Sequence, residues 1–234
     1  MVTLLAIETS TDACSVALSH GSIVQETFVI QPREHNKILL PMVDEILKGL
    51  RLTFADLDAL AFGVGPGSFT GLRLSAGVVQ GLAFAANKPV IPVSSLAALA
   101  FSTGEYLGDH APQNIITVID ARMQDVYFGA FRFDRGSLTR LAEDALLPTP
   151  QLTALAKNIP DSIIVGDGWP ADVAMPSTGK PMAAIYPHAS AVLALAKERF
   201  HAGETVAAEQ ALPVYLRETV SWQKWQPKSS KKIN

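Results

Sequence analysis

The chain carries a single cysteine, Cys14, so it has no intrachain disulfide and no cysteine-based zinc site. That usage fits a reducing compartment, and Cys14, set in an alternating apolar run, reads as a small core residue. The Gly-Lys-Ser/Thr closure of a phosphate-binding Walker loop is also missing, as is a GxSxG nucleophile elbow. The histidines (His20, His35, His110, His188 and His201) are scattered, and none is paired at the four-residue spacing that sets two imidazoles on one metal. No cationic excess exists: 19 Lys and Arg stand against 22 Asp and Glu, a net charge of −3 that argues against nucleic-acid binding by bulk electrostatics. No apolar run approaches the ~20 residues that span a bilayer. No basic-then-apolar leader opens the chain, so the expectation is a cytoplasmic protein. What remains is a chain of 234 residues, 48% of them hydrophobic, enough for one or two domains at roughly 100–200 residues each.

The pattern begins with three short β-prone runs, 2–9, 13–20 and 22–30, which read as an antiparallel meander. In EHNKILLPMVDEILKGL (34–50), Leu39, Met42, Val43, Ile46, Leu47 and Leu50 recur at helical spacing. Pro41 lies inside that pattern, so the helix either starts near Leu40 or kinks at the proline. A strand (58–64), a glycine loop, a helix (69–87), a strand (90–94) and an alanine-rich helix (95–101) follow. The polar stretch 104–114 reads as a linker. Then the order repeats: IITVIDARMQDVYFGAFRF aligns without a gap on LLAIETSTDACSVALSH, pairing Glu8 with Asp120 at an offset of 120 − 8 = 112. A meander (137–147), a helix (150–158), a strand ending in Gly166-Asp167-Gly168, a helix (188–202) and a last strand (213–217) complete the second half. The expected fold is α/β: two tandem ribonuclease-H-like lobes of the actin-like kind, each a mixed five-stranded sheet with helices, at 1–103 and 104–234. A basic tail, 221–234, contains Trp222 and Trp225.

That architecture raises the question of a nucleotide. Actin-type ATPases turn after their first strands through glycine, which lets backbone amides approach phosphate. Here the turns read Glu8-Thr9-Ser10-Thr11 and Asp120-Ala121-Arg122-Met123, without glycine. The loop GPGSFTGLR (65–73) has two readings. Gly65, Gly67, Ser68 and Thr70 form an anion nest at a helix start, or the loop is a sharp strand-to-helix turn with Ser68 or Thr70 as N-cap. The helix it leads into, TGLRLSAGVVQGLAFAA, is apolar nearly all round. It places Gly77 and Gly81 on one face, each at a cost of up to ~1 kcal/mol against alanine. Packing on the lobe's own sheet accounts for one side. The smooth remainder, beside the Leu- and Met-rich 34–50 helix, reads as a protein–protein interface.

The stretches LAIETSTDACSVAL (5–18), PREHNKILLPMVDEIL (32–47), LDALAFGVGPGSFTGLRLSAGVVQGLA (57–83), VIDARMQDVYFGAF (118–131), VGDGW (165–169) and PVYLRE (213–218) together resemble the TsaB (YeaZ) family. The resemblance implies an inactive paralogue of TsaD. TsaD is the actin-like subunit that moves a threonylcarbamoyl group to N6 of the adenosine 3′ of the tRNA anticodon and carries metal-binding histidines. In this sequence the first helix offers only His35 and the second offers none, so no catalytic residue and no metal ligand is assigned. The implied partners are TsaD as a heterodimer and TsaE as a recruited ATPase, with a homodimer when the chain is alone. tRNA is met only through the complex, and no membrane is involved. Partner contacts are expected at Leu39, Met42, Val43 and Ile46 of the first helix and at Arg73, Leu74, Gly77, Val78 and Gly81 of the second. ATP, ADP and metal are expected on partner subunits or at a shared interface near Gly65, Gly67, Ser68 and Thr70. The alternative is an actin-like ATP-dependent enzyme, or a glycoprotease-like metalloenzyme, with a site of its own.

Overall fold

A computed structural model describes residues 1–108, 112–170, 180–181 and 186–217; the basic tail 221–234 and His110 lie outside the described residues. The opening meander is β1 (Thr3–Glu8), β2 (Ala13–His20) and β3 (Ile23–Ile30). After it come α1 (His35–Gly49), β4 (Ala59–Gly65), α2 (Phe69–Ala86), β5 (Val90–Ser94) and α3 (Ser95–Leu107). The second half contains β6 (Gln113–Asp120), β7 (Asp125–Asp134), β8 (Ser137–Pro148), α4 (Thr149–Lys157), β9 (Ser162–Val165), the two-residue β10 (Lys180–Pro181) and α5 (Ala189–His201). The strands form two five-stranded mixed sheets, ordered β3-β2-β1-β4-β5 and β10-β9-β6-β7-β8, the duplicated ribonuclease-H-like order.

β1 is buried on both faces, and its alternation assigns each face to a layer. Leu5 and Ile7 join Leu39, Met42, Val43, Ile46, Val79 and Ala83 in the outer layer made by α1 and α2. Leu4 and Ala6 face the other way, into a core built with α3 and α5. That middle core continues to Ile115, Ile119, Phe131 and Phe133 of the second sheet, whose far face is closed by Leu152 and Ala156 of α4. The layers are therefore α1/α2, first sheet, α3/α5, second sheet, α4.

This layering interleaves the two halves of the sequence. α5, from the second half of the sequence, packs on β1, β2, β4 and β5, while α3, from the first half, packs on β6 and β7. Past α5, residues 206–214 lie along the first lobe: Val206 bridges Val90 at the edge of β5, and Val214 N donates to Val64 O at 2.8 Å. The boundary at 103/104 falls inside α3. Residues 104–107, expected in a linker, are helical, and Gly104 is there because a Cβ would lie 2.2 Å from the Phe133 ring. Residues 213–217, expected as a strand, carry no strand assignment. α1 begins at His35 and runs on through Pro41, so the start near Leu40 is not realised.

The gapless alignment of the two halves also fails by one residue. In the first sheet Ile7 pairs with Val16; in the second, Phe128, the counterpart of Val16, pairs with Val118. The offset is 112 on the second strand of each meander but 118 − 7 = 111 on the first. Because strand side chains alternate, one residue of slip exchanges the faces. The counterpart of Glu8 is Ile119, which faces the middle core, and Asp120 comes one position later.

Candidate functional site

The first candidate is the cleft between the lobes, where the actin-like expectation places a nucleotide. Glu8 ends β1 there, fully buried. Its Oε1 accepts from Ser10 N at 2.6 Å, and its Oε2 accepts from Ser95 Oγ at 2.9 Å. A Cβ on Gly63 would lie 1.8 Å from Oε2, so the carboxylate is packed against β4. Burial pushes the Glu8 carboxyl above the usual carboxylate range, outweighing the hydrogen bonds from Ser10 and Ser95 that lower it. Cys14 nearby is a buried thiol raised to about 12 by burial and by the Glu8 charge, with no nucleophilic character at neutral pH. Across the cleft, Asp120 accepts from Arg122 N at 2.8 Å and pairs with the exposed Arg122 guanidinium at 2.8 Å. The gap between the lobes, lined by Thr11, Leu99, Ile119, Gly166 and Asp167, holds a cavity of only about 10 Å³. Sites that enclose a small molecule run about 300–1,000 Å³. Among the described residues no group of three or more His, Cys, Asp or Glu side chains is arranged to hold a metal. His35 is buried, with Nε2 3.1 Å from Ala13 O.

The glycine loop fits a turn. Gly65 takes φ +107° at the end of β4, and Gly166 takes φ +109° at the matching place after β9. A Cβ on Gly67 would lie 2.4 Å from Ser10 O, and one on Gly71 would lie 1.9 Å from Thr9 O. The glycines let the loop lie against the β1–β2 turn, and two of its amide donors are used inside the chain: Ser68 N to Ser10 O at 2.7 Å and Gly65 N to Ser95 Oγ at 3.3 Å. Ser68 is the N-cap of α2, its Oγ accepting from Gly71 N at 3.4 Å. Thr70 is exposed on the first turn.

The second candidate is the outer surface of α1 and α2. α2 is the one described helix with the length and apolar composition of a membrane span, yet Leu72, Ser75, Ala76, Val79 and Ala83 pack on the sheet. Its outward stripe is Arg73, Gly77, Gly81 and Phe84, and a Cβ added to either Gly77 or Gly81 would meet nothing within 4 Å. Phe84 is 80% exposed. Leu74 and Val78 are half-buried on the flank toward α1, packed against the core that α1 helps to build. Four expected contacts fall elsewhere: Leu39, Met42, Val43 and Ile46 are buried under α1, because helical spacing turns them to β2 and β1. The outer side of α1 is Lys37, Leu40, Pro41, Asp44 and Lys48.

Sequence reasoning missed the other flank of α2. Residues 206–217 run along it as a strap. Gln80 Nε2 donates to Ala211 O at 3.1 Å, Arg73 Nε donates to Tyr215 Oη at 3.2 Å, and the Tyr215 and Phe69 rings lie 5.4 Å apart. The strap ends at Arg217, which bonds Ala121 O, Arg122 O and Asp125 Oδ2 of the second lobe. Its only signal in the sequence is PVYLR, which has the composition of a strand.

Comparison with known proteins follows the same lines. The family model described as TsaD, tRNA N6-adenosine threonylcarbamoyltransferase, matches residues 23–211. A Haemophilus influenzae protein named tRNA threonylcarbamoyladenosine biosynthesis protein TsaB is 40% identical, over 95% of this chain and 97% of its own length. The Escherichia coli protein of the same name is 38% identical over 94% and 97%. A solved structure, YeaZ from Pseudomonas aeruginosa, superposes with a TM-score of 0.83 at 42% identity, covering 92% of this chain and all of that one.

Proposed function

The chain belongs to the TsaB (YeaZ) branch of the TsaD-related family, and from that premise we propose that it is a non-catalytic scaffold subunit of the machinery that makes threonylcarbamoyladenosine in tRNA. It works in the cytoplasm and binds a TsaD-type transferase subunit through the outer face of α1 and α2. The assembled pair recruits a TsaE-type ATPase, nucleotide and metal are held by the partners or where they meet, and tRNA is met through the complex. The observation that carries this reading is the open glycine stripe of α2. Two glycines sit mid-helix at a cost in helix stability, with open space where a Cβ on either would lie, beside a Phe84 that is 80% exposed. Glycines that serve packing inside the chain look different, as Gly71 and Gly104 do. A smooth helix face lets a second helix approach closely. The small cleft beside Thr11, Ile119 and Asp167 supports the same reading, since it leaves little room for a substrate of the chain's own.

The test is light scattering coupled to size exclusion, on the chain alone and mixed with its TsaD counterpart. The expected outcome is a self-dimer that gives way to a one-to-one heterodimer. A chain that stays monomeric in the mixture overturns the reading.

A further inference from the structure

We infer that the docking surface has a third lane, the strap 206–217, and that this lane receives a helix of the TsaD-type subunit whose apolar side chains are flanked by a carboxylate. The inference rests on the docking reading above and adds to it the strap, the chemistry it selects and a residue that reads it. Leu212 is 62%, Val214 46% and Tyr215 42% exposed, three large apolar side chains on the part of the strap that follows its single 3-10 turn (Ala208–Gln210) and has no helix or strand. Such a stretch is ordinarily loose, but this one is pinned along its length to Val90, Gln80, Val64, Arg73 and Asp125. Outward apolar groups on a fixed backbone lower the ordering cost of association. The strap touches α2 at Phe69, Arg73 and Gln80, the flank opposite Leu74 and Val78, so it continues the glycine stripe rather than forming a separate patch. Arg73 sets the chemistry. Its guanidinium lies 3.9 Å from the Phe69 ring centre and its Nε is bound to Tyr215, so it is oriented while exposed. It forms no ion pair among the described residues. A guanidinium held by aromatic groups and lacking a carboxylate is a ready bidentate donor for one.

The experiment compares four full-length chains, wild type, Leu212→Glu, Arg73→Glu and Gly81→Arg, by calorimetric titration into the TsaD counterpart at low and moderate salt. Thermal melts are taken in parallel. Leu212→Glu changes an exposed side chain and is expected to melt as wild type does, Gly81→Arg slightly higher because a mid-helix glycine is lost, and Arg73→Glu slightly lower because its bond to Tyr215 is lost; all three are expected to stay folded. Leu212→Glu and Arg73→Glu are each expected to raise Kd about tenfold or more, ~1.4 kcal/mol. Arg73→Glu is also expected to flatten the salt dependence of binding. If Gly81→Arg abolishes binding while both strap variants bind as wild type does, the third lane is overturned and the docking reading stands. If the strap variants weaken only self-association, a second copy is the occupant and the inference fails. If Gly81→Arg also binds normally, the docking reading itself falls.

Discussion

Glu26, on β3, shows how single residues join distant parts of this chain. Its carboxylate accepts from Ser15 Oγ at 2.7 Å, Ser190 N at 3.0 Å, Ser190 Oγ at 2.9 Å and His188 Nδ1 at 3.1 Å. Ser15 Oγ in turn accepts from Ala189 N at 2.9 Å. α5 has no side-chain cap of its own, so strand residues from the first half of the sequence satisfy its first amides. Burial alone raises the pKa of Glu26, but the hydrogen bonds from His188, Ser15 and Ser190 outweigh it and hold the group at about 2. A carboxyl depressed from 4.5 to about 2 stabilises the fold above pH 4.5, and that contribution is lost as pH falls toward 2. Glu26→Gln is therefore expected to cost about 2–3 kcal/mol at pH 7, with the gap to wild type narrowing from about pH 5 down to about pH 2. Urea melts across that range check it, and a gap independent of pH would count against the ionic account. Nothing in the sequence marks Glu26, because His188 and Ser190 lie 162 and 164 residues away and are brought to it only by the exchanged helix.

At the scale of elements, the two glycine pairs of α2 and its loop separate packing from docking. Gly77→Ala and Gly81→Ala add a methyl group to open space on an exposed helix, so each is expected to stabilise the chain by about 0.5–1 kcal/mol. Gly71→Ala drives its methyl toward Thr9 O, 1.9 Å from the ideal Cβ, and is expected to cost ~1–3 kcal/mol. Chemical denaturation of the three variants gives both signs at once. Loss of stability in Gly77→Ala would show that α2 packs against something within the chain. The sequence made these elements legible: alternation in β2 and the 3–4 spacing of α1 gave their bounds nearly to the residue. It was less informative about direction. Leu39, Met42, Val43 and Ile46 satisfy an interface pattern and a core pattern equally, since periodicity names a face without naming its neighbour. The same limit explains Asp120. A gapless match pairs Glu8 with Asp120, but the connection between β6 and β7 is one residue longer in its pairing, Val118 to Phe128 against Ile7 to Val16. Arg122, Met123 and Gln124 all take positive φ in that longer connection, and the slip puts Ile119, not Asp120, at the inward position that matches Glu8.

For the whole molecule, the exchange of α3 and α5 decides how it unfolds. Duplication in the sequence marks two lobes, split near 103/104, and such lobes fold separately only where each closes a core of its own. The middle layer contradicts that independence. Ala189, Ala191, Val192, Leu193 and Ala196 of α5 share one core with Leu4, Ala6, Ala59 and Ala61 of the first sheet and with Ile115 and Phe131 of the second. Neither sheet keeps its inner face covered if the chain is cut at the apparent boundary, because α3 leaves with one half and α5 with the other. The strap adds a polar tie in the same direction, from Val64 and Arg73 of the first lobe to Asp125 of the second. A shared apolar core makes local opening of one lobe expensive, so the intact chain is expected to melt in a single transition by calorimetry, with calorimetric and van't Hoff enthalpies equal. A fragment of residues 1–107 is expected to lack a cooperative melt, since its first sheet exposes Leu4, Ala6, Ala17 and Ala59, and to regain one when residues 186–217 are joined to it through a flexible linker. Two resolved transitions in the intact chain, or a cooperative melt from 1–107 alone, would show that the lobes hold themselves together and that the helix exchange is only a route for the backbone. One transition means that a partner docked on α2 presses on a body continuous with the second lobe, through the core and the strap together.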